Sequence, residues 1–210
     1  MREDTSRAAE DGTAVTEQPA KRVRADVRRN TDALLTAAAE VFRTSGVDAP
    51  VRRITAKAGV GAGTLYRHFP QRSDLIAAVF RHEVDACADA APALTEQHTP
   101  ADALGAWLQR FALFLATKRG LSAALHSGDP SYDSLPCYFE QRLVPVLTGL
   151  VDTAVQAGEI RSDIGAEDLL TATRNLTLSA DEDEGGHTRR MIGLLVDGLR
   201  HGAQRPRTGG

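Results

Sequence analysis

Apolar residues recur at intervals of three and four along most of the chain, and no stretch alternates apolar with polar residues as a half-buried strand would. That single period restricts the fold to helices packed on helices. Leu34, Leu35, Ala38, Val41 and Phe42 form one stripe, and Leu75, Ile76, Val79, Phe80 and Val84 a second. A third is Leu104, Trp107, Leu108, Phe111 and Leu115; a fourth is Phe139, Leu143, Val146, Leu147, Leu150 and Ala154. Gly46, Pro92, Gly120 and Gly158 end these stripes. The spacing predicts helices over 27–45, 51–58, 62–69, 73–91, a segment ending at Arg119-Gly120, 121–126, 135–157, 166–179 and 187–202. Ser73 suits the N-cap of the fourth, and Pro145 predicts a kink in the long helix. Residues 92–100 and the acidic run 181–186 read as loops. The expectation is an all-α chain of about nine helices.

With 42% hydrophobic residues in 210, the chain can bury a core. No apolar run approaches the roughly 18 residues needed to span a bilayer. The N-terminus opens on Arg2, Glu3 and Asp4 rather than on a basic stub and an apolar stretch. Cys87 and Cys137 stand far apart in helical segments, which suggests neither a disulfide framework nor a C-x-x-C site. The expected compartment is the cytoplasm, with no membrane partner.

Charge is unevenly spread. Residues 21–82 hold twelve Lys/Arg against five Asp/Glu, whereas residues 83–210 hold eleven against eighteen. A basic segment followed by an acidic remainder is the pattern of a nucleic-acid-binding module joined to a domain that does not touch nucleic acid. Random clustering on solvated faces is the alternative. Residues 1–25 lack apolar periodicity and read as a disordered tail, inside which Lys21, Arg22 and Arg24 begin a basic arm that continues through Arg28 and Arg29.

The most specific signal lies at 51–69. Two short helices joined by Gly59-Val60-Gly61, after an amphipathic first helix, have the sequence form of a helix-turn-helix. The stretch Ile54-Thr55-Ala56-Lys57-Ala58-Gly59-Val60-Gly61-Ala62-Gly63-Thr64-Leu65-Tyr66-Arg67-His68-Phe69 closely resembles the DNA-binding signature of the TetR/AcrR family of bacterial transcriptional regulators. Asp74-Leu75 fits the start of that family's fourth helix, and the resemblance spans about 28–85. Ala157-Gly158-Glu159-Ile160-Arg161-Ser162-Asp163 looks like its connection between the seventh and eighth helices. Trp107, Phe111 and Phe114 followed by Lys118-Arg119-Gly120-Leu121 resemble the SbtR-like actinobacterial members.

In this reading Ile54, Ala58, Val60, Leu65 and Phe69 pack on Leu35, Ala38 and Phe42 and fix the angle between the two short helices. The second then carries Ala62, Gly63, Thr64, Tyr66, Arg67 and His68 outward, with its N-terminal end in the major groove. Ala62 and Gly63 let the backbone come close. Thr64 and Tyr66 suit phosphate oxygens, with the core as the alternative place for Tyr66, Arg67 suits guanine, and His68 suits either. Arg52, Arg53, Arg72 and the basic arm would add sequence-independent affinity, with solvent as the alternative place for Arg52 and Arg53. Gly61 stands where the family usually has a serine cap, and Arg72 where it usually has lysine. His68 has no second ligand at metal spacing, and no metal or cofactor is expected.

The resemblance implies a three-helix DNA-binding domain at 26–72, a helical ligand-binding and dimerisation domain at 73–204 and a tail at 205–210. It implies a homodimer held by the last two helices, where Leu169, Leu170, Thr173, Leu176, Met191, Leu194, Leu195 and Leu199 are the candidates and Gly198 and Gly202 allow close contact. Packing within one subunit is the alternative. An effector pocket would be lined by Trp107, Phe111, Phe114, His126, Tyr138, Phe139, Arg142, Arg174 and Asn175, although such a stripe also serves as plain core. The expected partners are a palindromic DNA operator and a small molecule that releases it. A ligand-independent regulator or activator remains open, and a filled interior around Trp107 would favour it. The cluster Ser127, His126 and Asp129 resembles a nucleophile set, but adjacency does not create its geometry, and no enzyme is expected.

Overall fold

The glycines and prolines that punctuate the sequence mark most of the observed boundaries. The computed structural model describes residues 17–178 and 186–203. Among them are ten α-helices, one 3-10 turn and no strand. They are α1 (Glu17–Ser45), α2 (Val51–Ala58), α3 (Ala62–His68), α4 (Arg72–Ala88), α5 (Ala91–Gln97) and α6 (Pro100–Gly120). There follow α7 (Ser122–Leu125), the 3-10 turn Pro130–Tyr132, α8 (Leu135–Gln156), α9 (Ala166–Leu178) and α10 (Gly186–Ala203).

Three boundaries differ from expectation, each for a local reason. Helix α1 begins at Glu17, so residues 17–25 are helical rather than part of a tail. Lys, Arg and Ala sustain a helix by propensity without any apolar stripe to advertise it. Residues 1–16 and 204–210, and the acidic run up to Gly185, lie outside the described residues. At the start of α4 the cap is Gln71, not Ser73: the Gln71 N–H donates to Asp74 Oδ2 at 2.9 Å, and Ser73 is buried in the first turn. The expected loop at 92–100 contains α5, with Pro92 in its first turn, where a missing N–H costs nothing.

Helices α1, α2 and α3 form a small head. Leu34, Leu35, Ala38, Phe42, Ile54, Leu65 and Phe69 are its buried centre, and Ala58 and Val60 pack against them half-buried. Helix α6 is the axis of the remainder, touching α4, α5, α8, α9 and α10 and reaching back to α1. Its last residue explains that reach. A Cβ on Gly120 would overlap the main-chain carbonyl of Phe42, so α6 ends directly on the backbone of α1. The core is therefore continuous from head to regulatory domain. No helix among the described residues is long and apolar enough to cross a membrane.

Candidate nucleic-acid interface and regulatory cavity

The angle between α2 and α3 is set at Gly59. It adopts φ 68°, ψ 26°, the left-handed region that favours glycine, and the chain then turns so that the Val60 N–H donates to the Thr55 carbonyl at 3.0 Å. Gly61 is the N-cap of α3 and offers no side-chain bond, as its lack of a hydroxyl requires. Leu65 anchors α3 inward, fully buried.

Everything else on α3 is presented outward or partly so. Ala62, Gly63, Tyr66, Arg67 and His68 are exposed, and Thr64 is half-buried. Tyr66 is 54% exposed, which removes it from the core, whereas Phe69 is buried. A Cβ added to Gly63 would meet no protein atom within 4 Å. The smallness of this position is thus not required by packing within the chain. On α2, Arg52 and Arg53 are exposed, and Arg53 donates to Ser45 Oγ at 2.9 Å. In the arm, Arg29 is exposed; the side chains of residues 21–28 are outside those described.

Arg72 is the exception in the set. Its guanidinium donates to the carbonyls of Val47 and Ala49, the latter at 2.7 Å, and sits over the Phe42 ring. The side chain expected on phosphate is committed to closing the corner between α1 and α2. Both bonds come from one guanidinium nitrogen, Nη2, so this contact uses the reach and charge of the side chain.

Eight of the nine expected effector residues separate into three places. Trp107, Phe111 and Phe114 are core: all are at least 98% buried, Trp107 stacks on Phe111 with centroids 5.7 Å apart, and its indole N–H donates to the Cys87 carbonyl at 3.0 Å. Phe139 closes the same cluster, 5.8 Å from Phe114. Aromatics that fill one another's faces leave no box between them. Tyr138 and Arg142 lie elsewhere, clasping α4 to α8. The Tyr138 hydroxyl approaches both Asp85 carboxylate oxygens at 2.7 Å, and Arg142 reaches Asp85 at 2.8 Å and Asp89 at 2.9 Å. Burial and that carboxylate push the Tyr138 phenol above its ordinary pKa.

His126 and Arg174 do line a cavity, of about 140 Å³, between the end of α6, α7 and α9. With them stand Leu115, Lys118, Arg119, Ser122, Leu125 and Thr177, which the sequence did not single out as a lining. Lys118-Arg119 was visible as a pair, but its meeting with α9 is a long-range event. Asn175 is exposed outside this lining.

The expected dimer stripe is likewise divided. Leu169, Thr173 and Leu199 face the interior of their own subunit, with exposures of 1%, 0% and 4%. They cannot contact a partner without unpacking α9 and α10. Leu194 is 65% exposed, and Leu170, Leu176, Met191 and Leu195 are half-buried beside the exposed Gly198. Gly202 is outside the residues whose burial is described.

The Ser127, His126 and Asp129 side chains bond to nearby backbone. His126 Nδ1–H donates to the Ser122 carbonyl at 2.8 Å, Ser127 Oγ accepts from the Asp129 N–H at 3.3 Å, and Asp129 accepts from the Ser131 N–H at 2.9 Å. The segment Ala157–Asp163 is a structural brace. Glu159 Oε2 accepts from the Ala101 N–H at 2.8 Å, at the N-terminus of α6, and the Arg161 N–H donates to the Leu199 carbonyl at 3.0 Å.

Comparison with known proteins agrees with this architecture. Residues 34–79 match the family described as bacterial regulatory proteins, tetR family, and residues 99–201 match the transcriptional regulator SbtR-like C-terminal domain. A TetR transcriptional regulator from Streptomyces coelicolor is 40% identical with a TM-score of 0.72, over 80% of this chain and 97% of that one. A TetR transcription regulatory protein from Mycobacterium vanbaalenii is 29% identical with a TM-score of 0.65, over 85% and 99% of the two chains. A gamma-butyrolactone receptor shares the fold at 21% identity and a TM-score of 0.56, over 83% and 90%. None of the curated proteins matches the chain. A helix-turn-helix head fused through α4 and α6 to a helical domain, with these matches over both parts, makes the chain a DNA-binding transcriptional regulator of the TetR family and not an enzyme.

Proposed function

We propose that the protein is a cytoplasmic homodimeric repressor that reads a palindromic operator with two copies of α3 and leaves it when a small molecule binds the regulatory domain. One observation carries the reading: α3 offers an outward face of small residues followed by Tyr66, Arg67 and His68, held rigidly by buried Leu65. Gly63 and Ala62 let the helix approach base edges, Arg67 meets guanine as a bidentate donor, and Tyr66 and Thr64 meet phosphates. Arg52 and Arg53 add charge contacts that do not depend on sequence. Pairing two heads on one duplex needs a two-fold axis, and Leu194 with its half-buried neighbours on α9 and α10 is the face suited to it.

Selection of bound fragments from random DNA tests this reading. The expected result is a two-fold symmetric consensus; enrichment without symmetry, or none, would sink it. A second reading, regulation without an effector, is favoured by the filled aromatic centre at Trp107, Phe111, Phe114 and Phe139. Against it stands the cavity at His126 and Arg174. The two readings part on whether any small molecule lowers operator affinity, since effector and DNA must oppose each other through one coupling free energy.

A further inference from the structure

The cavity between α6, α7 and α9 differs from the aromatic centre in its charge. Leu115 and Leu125 give it an apolar floor, and Lys118, Arg119, Arg174 and His126 stand around it. Among the described residues no carboxylate lines it, and none pairs with Lys118, Arg119 or Arg174. Glu83, on α4, is spent on the Thr117 hydroxyl at 3.4 Å. Arg119 donates to the Thr177 carbonyl and so ties the end of α6 to the end of α9. Lys118 and Arg174, both exposed, remain as cations from two helices brought to one cleft with an apolar floor, the Lys118 ammonium lying 5.9 Å from the centroid of the Phe139 ring.

Gathering like charges beside apolar surface is unfavourable unless a counter-charge joins them. The same crowding is felt by Lys118, whose ammonium is held below the usual lysine range by partial desolvation and by Arg174. The volume of about 140 Å³ is below the several hundred Å³ of a drug-sized pocket, so the ligand has few heavy atoms.

Resting on the effector reading above, we infer that this cavity is the effector site and that its ligand is a small organic anion, a carboxylate or phosphate on a short aliphatic body, held by Lys118 and Arg174. The anionic group bridges the two cations, with Arg174 able to take two oxygens at once. Leu115 and Leu125 cover the aliphatic part. The site also has a mechanical outlet. Lys118 is two residues from Gly120, which lies on the main chain of Phe42 in α1. Drawing α6 towards α9 therefore moves a helix end that has no slack against the DNA-binding head.

The test uses the full chain in calorimetric titration with butyrate and butyl phosphate, and with 1-butanol and butylamine as uncharged and cationic controls. At least one anion should bind saturably, the tighter of the two identifying the anionic group, and neither control should compete. Lys118→Met and Arg174→Gln should each weaken that binding about tenfold or more. Both variants should keep the circular dichroism spectrum and Tm of the unliganded chain, which guards against misfolding as the cause. Absence of saturable binding by either anion, equal binding of 1-butanol, or unchanged binding in both variants would overturn the proposal. Operator affinity measured with the anion separates the two levels. An anion that binds here without weakening DNA binding leaves the site standing and ends the effector-release reading. Release of DNA by a compound that ignores Lys118 and Arg174 does the reverse.

Discussion

The DNA-binding head and the regulatory domain are built from the same helical pattern, yet the candidate working residues of the one can be read from that pattern and those of the other cannot. In α2 and α3 the large apolar positions are few and needed for packing, so apart from the buried Thr55 and half-buried Thr64 the polar residues point outward: Arg52, Tyr66, Arg67 and His68 among them. In α6, α8, α9 and α10 apolar positions are plentiful, and one stripe can serve core, ligand wall or dimer face equally well. A short amphipathic element therefore declares its function by subtraction, and a long one does not.

The sharpest way to break this contrast is at Trp107. If it is core, Trp107→Ala should cost about 3–5 kcal/mol of stability in urea unfolding. A loss of effector response with stability intact would instead make it a ligand wall. Next in size is the pair on α10. Leu199→Ala should cost about 2–5 kcal/mol of fold stability. Leu194→Glu should leave the fold intact and shift sedimentation towards monomer. Equal behaviour of the two would erase the division of that helix into inner and outer faces.

In the head, Arg67→Ala should lose about 1–3 kcal/mol of discrimination at one base pair of each half-site, read by binding to mismatched operators. Weakening that is uniform across sequences would move Arg67 to the phosphates. Gly61→Ser should raise thermal stability by only a few tenths of a kcal/mol, by supplying the hydroxyl cap that α3 lacks. Smallest is a pH effect on the brace after α8. Arg161 donates to both Asp163 oxygens at 2.5 Å and holds that carboxyl at about 2, below its ordinary 3.8. A depressed folded pKa adds stability above the unfolded value, and that stability is lost as pH falls through about 2. Because the pair is exposed, Asp163→Asn should change acid unfolding only slightly.

Much of the head was legible from residues alone. Ile54, Leu65, Phe69 and Phe42 occupy the core that their spacing foretold, and Gly59 turns where its φ allows. The unexpected boundaries come from ambiguous local signals. Pro92 serves equally as a stop or a first-turn residue, and a polar helix such as the start of α1 has no stripe to reveal it. At the candidate sites, Arg72 shows the limit well. Its charge was readable, but that it spends its guanidinium on Val47 and Ala49 depends on residues more than twenty positions away.

The sequence by itself determined the helical class, the order of the described helices other than α5 and the outward residues of α3, because helical period and turn chemistry act over a few residues. Only the tertiary structure decided that Trp107, Phe111 and Phe114 fill the centre, that Leu169 and Leu199 belong to their own subunit, and that Lys118 meets Arg174 across a cavity. Those outcomes depend on which helix faces which. Side-chain volume and the close approach at Gly120 settle that, and neither leaves a periodic trace along the chain.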